Sequence, residues 1–435
     1  MKCSRTDGMP FVDMTAVSAF FLVFALAYPL ALVYLSVLRR RHGREEGTAS
    51  AHVFTLIVPA RNEEAVIEGC VKSLLALDYP RDRFEILVVD DSSVDKTPSI
   101  VEGYVTESSN VSIMRLSGAE CGRGKATVLN RAFRHLREHS RFRHSPNWIL
   151  GIFDADGWPD TDMLRKASFQ FLTPTVAGAQ ASVRIRNRDT GWLTRMQDIE
   201  FAGFSRTTQL IRMGISGSAA LGGNGQFVRV SSLVEAAIDA DGGLYWKPDA
   251  LTEDLELSSR LVLRDWDLRH LDTTRVWQQG VEATRPLLKQ RTRWAWGSLQ
   301  VFVEYVVRLR IFTAPNVRLR KRLDLLFNLS MFLVSPLVLL SWLLSALMFL
   351  GLVNVRSSFP PSIMFVLSFG YLPIVGYGLF TLADYPRRRL PLDLLGFAIY
   401  TYHWVPCLYL GLWRLLVRRG PTWWKTVRYR ELAPG

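Results

Sequence analysis

Between residues 49 and 284, short apolar runs alternate with amphipathic stretches. The runs are four to eight residues long and end in turn or acidic residues, which predicts buried strands at residues 52–59, 84–89, 111–116 and 147–153. The stretches between them repeat apolar residues at helical spacing, which predicts helices at residues 63–77, 97–105 and 124–137. This alternation predicts an α/β fold with a parallel, doubly wound sheet that carries helices on both faces.

Long uncharged runs flank this region. The first, at residues 15–38, exceeds the roughly 20 residues that span a bilayer. A basic stretch follows it and no small-residue cleavage site is present, so we expect a retained anchor with its carboxyl side in the cytoplasm. Three further spans are predicted at residues 325–355, 362–383 and 394–413. Buried core helices are the alternative, although such long runs are rare in soluble proteins.

The last of these runs contains Pro406 and His403, so it is the candidate for an interfacial or re-entrant segment. The formal net charge of the 435-residue chain is +13, and basic residues cluster beside the apolar runs, at residues 318–322, 387–389 and 414–430. This distribution is typical of cytoplasmic flanks that face anionic membrane lipids. We expect no nucleic-acid partner, because no recognition module accompanies the charge. Four cysteines without metal-type spacing fit a reduced cytoplasmic domain.

Two pairs of aspartates follow predicted strands. Asp90 and Asp91 end the second strand, and Asp154 and Asp156 end the fourth. Carboxylates two residues apart can hold one divalent cation through oxygen. Because Asp and Gly are ordinary turn residues, an acidic turn is the alternative. Ligands of open α/β sheets bind beyond the carboxyl ends of the strands, and this placement favours a binding site.

A glycine-rich, basic loop precedes the helix predicted at residues 124–137. It is not a Walker loop, because five residues separate Gly118 from Gly124 and Ala126 replaces the required Ser or Thr. A dinucleotide fingerprint lacks its third glycine as well. Arg123 and Lys125 at the start of the helix are residues that could clamp a diphosphate, and a solvated basic loop is the alternative.

Two later stretches carry candidate chemistry. Asp254 stands at the amino end of an apolar helix, where a carboxylate with a raised pKa can act as a general base. A helix cap is its structural alternative. Arg293 offers a planar cation for phosphate beside Trp294, an aromatic platform of the kind on which sugars stack. Packing or a membrane-interface belt is the alternative for this aromatic cluster.

Taken together, these stretches resemble the membrane-bound family 2 glycosyltransferases. That family includes cellulose, chitin, hyaluronan and poly-N-acetylglucosamine synthases and bacterial glucosyl-diacylglycerol synthases. The shared motifs occur in order at residues 59–64, 89–92, 124–130, 153–156, 252–254 and 290–294. The resemblance extends to the basic, Trp-rich stretch at residues 421–426.

The resemblance implies a GT-A, Rossmann-like cytoplasmic domain between amino-terminal and carboxyl-terminal transmembrane helices, in the plasma or inner membrane. The expected segments are an anchor and basic linker (1–48), the GT-A domain (49–284), interfacial helices (285–322), transmembrane helices (323–417) and a basic tail (418–435). We also expect residues 300–312 to form an interfacial helix with Glu304 on its polar face.

The resemblance further implies roles for individual residues. Asp254 would be the base, with Glu253 beside it, and Asp154 and Asp156 would hold Mg2+ or Mn2+. Donor-binding residues would be Glu63, Asp90, Asp91, Lys125, Asp154, Gln290, Arg293 and Trp294. Acceptor-binding residues would be Gly223, Asn224 and Trp294.

The implied reaction moves glucose or N-acetylglucosamine from a UDP-sugar, with inversion, to form a β-glycosidic bond. Residues 223–229 resemble the glucosyl-diacylglycerol synthases more than the hyaluronan synthases, which favours a lipid or glycolipid acceptor. Processive synthesis and extrusion of a polysaccharide, with a growing glycan as acceptor, is one alternative. A non-catalytic membrane transport or scaffold component is the other.

Overall fold

The computed structural model describes residues 11–13, 15, 48–118, 121–331, 334–356 and 369–417. In this part of the chain an eight-stranded sheet is followed by a helical carboxyl-terminal region. The strands are β1 (Phe11–Asp13), β2 (Val53–Ala60), β3 (Phe84–Asp90), β4 (Val111–Arg115), β5 (Trp148–Ile152), β6 (Trp158–Pro159), β7 (Val176–Ile185), β8 (Gln226–Arg229), β9 (Asp267–Gln278) and β10 (Asn354–Arg356).

The helices of the sheet domain and of the region that follows it are numbered in chain order. Those up to the last strand of the large sheet are α1 (Ile67–Leu75), α2 (Thr97–Glu107), α3 (Lys125–His139), α4 (Met163–Gln170), α5 (Trp192–Ile199), α6 (Arg206–Ser216), α7 (Val230–Glu235) and α8 (Glu253–Val262). The later ones are α9 (Thr284–Phe302), α10 (Arg310–Thr313), α11 (Leu319–Ser330), α12 (Val334–Phe349), α13 (Leu372–Phe380), α14 (Leu390–Tyr400) and α15 (Trp404–Leu416). A π-helical turn, Glu200–Ser205, joins α5 to α6.

The large sheet has the order β4-β3-β2-β5-β8-β7-β9-β6. Strands β2 to β5 are parallel, as the sequence predicts. The expectation of a parallel sheet is wrong for β8, which runs antiparallel to both of its neighbours. The reason is that Gly225 donates its N–H to the Ile152 carbonyl, 2.9 Å away, so β8 starts where β5 ends and must run back along it. This arrangement brings the preceding glycine-rich turn to the carboxyl edge of the sheet.

Side chains of β2 alternate between two hydrophobic cores, as strand geometry requires. Phe54, Leu56 and Val58 pack on the face that α1 and α4 cover. Ile57 packs on the opposite face, among Leu129 and other residues of α3. Because helices cover both faces, the central strands are apolar throughout, which explains their short continuous apolar runs in the sequence.

The seven elements predicted between residues 49 and 153 are all present, with shifts at their ends. The largest shift is at α1, which was predicted to begin at residue 63 but begins at Ile67, after a loop. The single interfacial helix predicted at residues 300–312 is wrong, because α9 ends at Phe302 and a π-helical turn follows. Leu309 then has a φ of 59°, which breaks the helix before α10. Glu304 is buried and pairs with Arg308 and Arg310 instead of lying on a polar face.

Within the described ranges, no helix combines the length and the apolar character needed to cross a membrane. The anchor expected at residues 15–38 lies outside them except for Thr15. Residues 332–333, 357–368 and the basic tail at 418–435 also lie outside. The last predicted span corresponds to α14 and α15, separated by a 3-10 turn at Thr401–His403.

Candidate functional site

An open cleft, with about 320 Å³ of space that includes open solvent, lies where the start of α3, the start of α8 and the middle of α9 meet. Its walls come from three separate parts of the chain: the start of α3, the loop before α8 and the middle of α9. The lining residues are Arg123, Gly124, Lys125, Pro248, Asp249, Ala250, Leu251, Glu253 and Arg293. Three cations and two carboxylates therefore face the same small volume.

Lys125 forms the floor of the cleft. Gly124 has a φ of 111°, which lets the chain turn sharply into α3 and places Lys125 at its first position. The Lys125 ammonium lies 2.5 Å from Asp154 Oδ1, 3.1 Å from the Gly223 carbonyl oxygen and 3.8 Å from Glu253 Oε1. Burial lowers the pKa of Lys125, but the carboxylates of Asp154 and Glu253 outweigh it and the net shift is upward. The side chain is therefore charged and joins three segments.

Asp154 and Asp156 follow β5 in one tight loop. The Asp154 side chain is 37% exposed at the cleft, whereas Asp156 is only 2% exposed and accepts the Gln279 N–H at 3.1 Å. In the part of the chain that the structure covers, no three His, Cys, Asp or Glu side chains lie close enough to hold a metal by themselves. The two aspartates fit a hard cation only if diphosphate and water oxygens complete its coordination.

Glu253 and Asp254 open α8 beside Lys125. Burial, followed by repulsion from Asp254, raises the pKa of Glu253 to about 7, although Lys125 opposes this shift. Burial also raises the pKa of Asp254, against the opposing effects of Lys125 and Arg293. A carboxylate with a raised pKa in a cleft has the properties of a general base near neutral pH.

Gly223 lies between Asp254 and Lys125. It has a φ of 81°, and a Cβ built there would stand 2.9 Å from Asp254 Oδ2 and 3.5 Å from Lys125 Nζ. A side chain at this position would therefore collide with the carboxylate. The neighbouring Asn224 is buried, and its Oδ1 accepts the Asp154 N–H at 3.1 Å while its Nδ2 donates to Gln278 Oε1. The structure thus uses Asn224, expected at the acceptor, to fix the Asp154 loop.

Gln290, Arg293 and Trp294 all lie on α9, but the structure directs Arg293 and Trp294 to different surroundings. Of the three, Arg293 lines the cleft and donates to the Leu251 carbonyl at 3.2 Å. Trp294 packs with Phe201, at a ring-centroid distance of 6.3 Å, and Gln290 is half-buried one turn earlier. The structure therefore joins Arg293 to the cleft and places Trp294 against the π-helical turn.

Glu63, Asp90 and Asp91 form a second group at the carboxyl ends of β2 and β3. Asp91 accepts the Gly122 N–H at 2.9 Å, and its pKa is raised by burial although that N–H opposes the shift. Asp90 accepts the Ser93 N–H at 3.3 Å, and the Glu63 N–H donates to Thr97. Since Gly122 belongs to the loop that leads to Lys125, the second group adjoins the cleft along that loop.

The loop Pro248–Leu251 is a wall of the cleft that the sequence reasoning missed. It is held by α9, because Gln300 Oε1 accepts the Leu251 N–H at 3.2 Å. The sequence signal that could have revealed this loop is the turn dipeptide Pro248-Asp249, a few residues before the helix that starts after Thr252.

Comparisons with known proteins agree with this geometry. The family model described as glycosyltransferase-like family 2 matches residues 51–297. The β-monoglucosyldiacylglycerol synthase of Synechocystis sp. is 32% identical over 386 residues, which cover 86% of this chain and 74% of that protein. The enzyme of the same name from Nostoc sp. is 33% identical over 312 residues, covering 71% and 62%.

Among solved structures, a mannosyltransferase from Pyrobaculum calidifontis in complex with GDP-Man and Mn2+ superposes with a TM-score of 0.57. It is 19% identical and the match covers 93% of this chain and 99% of that one. The likeness confirms the GT-A-like α/β fold. The family model covers more than half of the chain, and all the residues that line the cleft fall within it. This chain therefore belongs to glycosyltransferase-like family 2 and is a hexosyltransferase.

Proposed function

We propose that this enzyme transfers glucose from UDP-glucose to a diacylglycerol-type lipid and forms a β-glycosidic bond. The support for the acceptor is the name shared by the two cyanobacterial relatives, of whose lengths the chain spans 74% and 62%. The observation that carries the reaction is the cleft itself, in which the buried Glu253 faces Lys125 and Arg293, with the partly buried Asp254 next to it.

The cations of the cleft suit a nucleoside diphosphate. Arg123 and Lys125 stand at the amino end of α3, where the helix dipole and free N–H groups also favour anions. Arg293 approaches from α9 on the other side. As the bond from the anomeric carbon to the diphosphate oxygen breaks, UDP leaves with the electron pair, and these cations stabilise its growing charge.

The base acts on the acceptor. A lipid hydroxyl is a poor nucleophile until a carboxylate accepts its proton. Asp254 takes that proton while the hydroxyl oxygen attacks the anomeric carbon opposite the leaving UDP, so the configuration inverts. Glu253, beside Lys125 at 3.8 Å, keeps a second carboxylate next to Asp254 and so favours proton uptake by the pair.

We also propose that Asp154 and Asp156 bind Mg2+ or Mn2+ together with the donor. A divalent ion bound there would neutralise charge on the diphosphate. The accessible carboxylate of Asp154 lies at the cleft, and the Asp156 carboxylate is fixed by the Gln279 N–H. The Lys125 ammonium already bonds Asp154 Oδ1, so Lys125 and the metal ion would share the Asp154 carboxylate.

Membrane attachment, with the catalytic domain on the cytoplasmic side, is part of the proposal. On α14, Leu392, Leu395 and Ile399 are exposed and share one helix face. The exposed turn Arg387–Arg389 stands directly before them. An apolar helix face beside arginines suits the boundary of a bilayer with anionic headgroups.

Asp254→Asn should lower kcat by about 100- to 10,000-fold, because the acceptor hydroxyl then lacks its proton acceptor. Asp249→Asn removes a negative charge from the same cleft without touching the base, and serves as the matched control. In the unaltered enzyme the rate should fall as the pH drops through about 7. The pKa of Asp254 is raised by burial, and Glu253, whose pKa is about 7, takes up a proton there and then no longer strengthens Asp254 as a base. A rate that does not change between about pH 5 and about pH 8, in protein that stays folded over this range, would contradict the assignment.

The purified protein, incubated with labelled UDP-glucose and vesicles that contain diacylglycerol, should give a product that partitions into organic solvent. Thin-layer chromatography and cleavage by a β-glucosidase check its identity. A labelled, water-soluble polymer of high molecular weight would instead establish processive synthesis. No release of UDP with any sugar nucleotide would favour a scaffold role.

Chelation should abolish transfer, and added Mn2+ or Mg2+ should restore it. Because Asp156→Asn keeps an oxygen for the Gln279 N–H, we expect this variant to fold but to lose metal-dependent UDP binding. Electron paramagnetic resonance of Mn2+ in the presence of UDP measures the bound ion directly. Equal Mn2+ binding by the variant and the wild type would remove Asp156 from the site.

Membrane fractions of cells that produce the full chain should retain the protein after an alkaline carbonate wash. Replacing Leu392, Leu395 and Ile399 with Ser should not release it if spans elsewhere anchor the chain, but should lower activity on vesicle-borne acceptor. Complete recovery of the unaltered protein in the soluble fraction would contradict membrane attachment.

A further inference from the structure

A buried ion pair lies behind α9, away from the cleft. Arg291 is fully buried, and its Nη2 lies 2.5 Å from Glu200 Oε2. Glu200 opens the π-helical turn between α5 and α6 and is itself mostly buried. The two residues are far apart in sequence. Arg291 falls within the motif at residues 290–294, but no role was expected for it or for Glu200.

Glu200 gathers two further donors from the carboxyl-terminal helices. The Tyr400 hydroxyl, at the end of α14, donates to Glu200 Oε2 at 3.0 Å. The Trp404 indole, at the start of α15, donates to Glu200 Oε1 at 2.9 Å. One carboxylate therefore holds three elements, α9, α14 and α15, to the turn that follows α5.

Arg291 is also enclosed by aromatic rings. Its guanidinium carbon lies 4.0 Å from the centroid of the Trp294 ring, 5.5 Å from that of Trp404 and 5.8 Å from that of Phe201. Within the region that the structure covers, Arg291 Nε and Nη1 have no hydrogen-bond acceptor. The ring faces take that place, since a planar cation is attracted to the negative face of an indole.

These contacts bear on the cleft because α9 carries both sets of residues. Trp294 packs on the guanidinium of Arg291, whereas Arg293 points the other way and bonds the Leu251 carbonyl. At Gly297, α9 approaches the residue before α8 so closely that a Cβ would lie 2.9 Å from the Thr252 nitrogen. A shift of α9 would therefore be transmitted to the helix that presents Asp254.

We infer that Glu200 and Arg291 are positioning residues for glycosyl transfer. Through Trp294 they hold α9 in place against the start of α8, which presents the base Asp254. Because Tyr400 and Trp404 share the Glu200 carboxylate, the geometry of the site also depends on α14 and α15. The pair touches neither donor nor acceptor, and it acts through Trp294. Arg293 is held separately by Leu251, so donor binding does not depend on the pair. This inference rests on the proposed transfer to an acceptor and specifies which buried contacts that step requires.

A purely structural role is the competing explanation, and the chain offers a matched control. Arg206 and Asp272 form a second buried pair, with Nη2 and Oδ2 2.9 Å apart, and Arg206 also bonds the Gly378 carbonyl of α13. Side-chain exposures are 6% and 12% there, against 1% and 11% for Arg291 and Glu200. This control pair also connects the sheet domain to the carboxyl-terminal helical region, but it does so through α13 and not through α9.

The test compares the double variant Glu200→Gln/Arg291→Met with the matched double variant Arg206→Met/Asp272→Asn, both in the full chain. Neither double variant leaves an unpaired buried charge, so the fold should be retained in both. With UDP-glucose and diacylglycerol vesicles, we expect kcat/KM for the acceptor to fall at least about tenfold in the Glu200/Arg291 variant, because small misplacements of reacting groups are costly. Its UDP Kd should stay within about threefold of the wild type, as should both parameters of the Arg206/Asp272 variant.

Arg291→Lys provides a second variant if the double variant does not fold. It keeps the charge beside Glu200 and loses the planar stacking on Trp294, so acceptor kcat/KM should again fall while the UDP Kd holds. Equal losses in the Glu200/Arg291 variants and in the Arg206/Asp272 control, or wild-type acceptor kinetics in either Arg291 variant, would overturn the inference. Absence of glycolipid from the wild type would instead overturn the proposed function.

Discussion

The ammonium of Lys125 is the contact on which the cleft depends. It joins the loop after β5, through Asp154, to the start of α8, through Glu253, and also bonds the Gly223 carbonyl. Without it, carboxylates from two segments would face one another in a poorly hydrated volume, and an unpaired buried charge is strongly destabilising. Its presence lets both segments approach while the pKa values of Glu253 and Asp254 remain raised.

The sequence was sufficient for the parallel half of the fold and for the acidic residues at its edge. Asp90 and Asp154 end apolar runs that form β3 and β5, the two parallel neighbours of β2, so their place at one edge of the sheet follows from the fold class. The direction of β8 could not be inferred in this way. Periodicity defines which face a residue occupies but not whether its strand runs up or down.

Contacts between distant segments were the least predictable part. The resemblance placed Asn224 at the acceptor, yet both ends of its amide bond other parts of the protein. Glu200 and Arg291 could not be paired from the sequence, because they are distant in the chain and their partnership exists only after folding. Glu304 was expected on a polar helix face, whereas it is buried and pairs with Arg308 and with Arg310, which lies beyond the helix break at Leu309 that hydrophobic periodicity does not reveal.

The burial that would make the proposed base effective would also determine what it can act on. Burial contributes to the raised pKa values of Glu253 and Asp254, and where water is scarce a positioned hydroxyl competes well with water for an activated sugar. On the proposed function, α9 would complete the acceptor side of the cleft, and Glu200 stabilises α9 from behind through Arg291. Because Tyr400 and Trp404 share that carboxylate, the carboxyl-terminal helices and the chemical site form one packed unit. An apolar acceptor that approaches along those helices would reach the proposed base, Asp254, without bringing water to it.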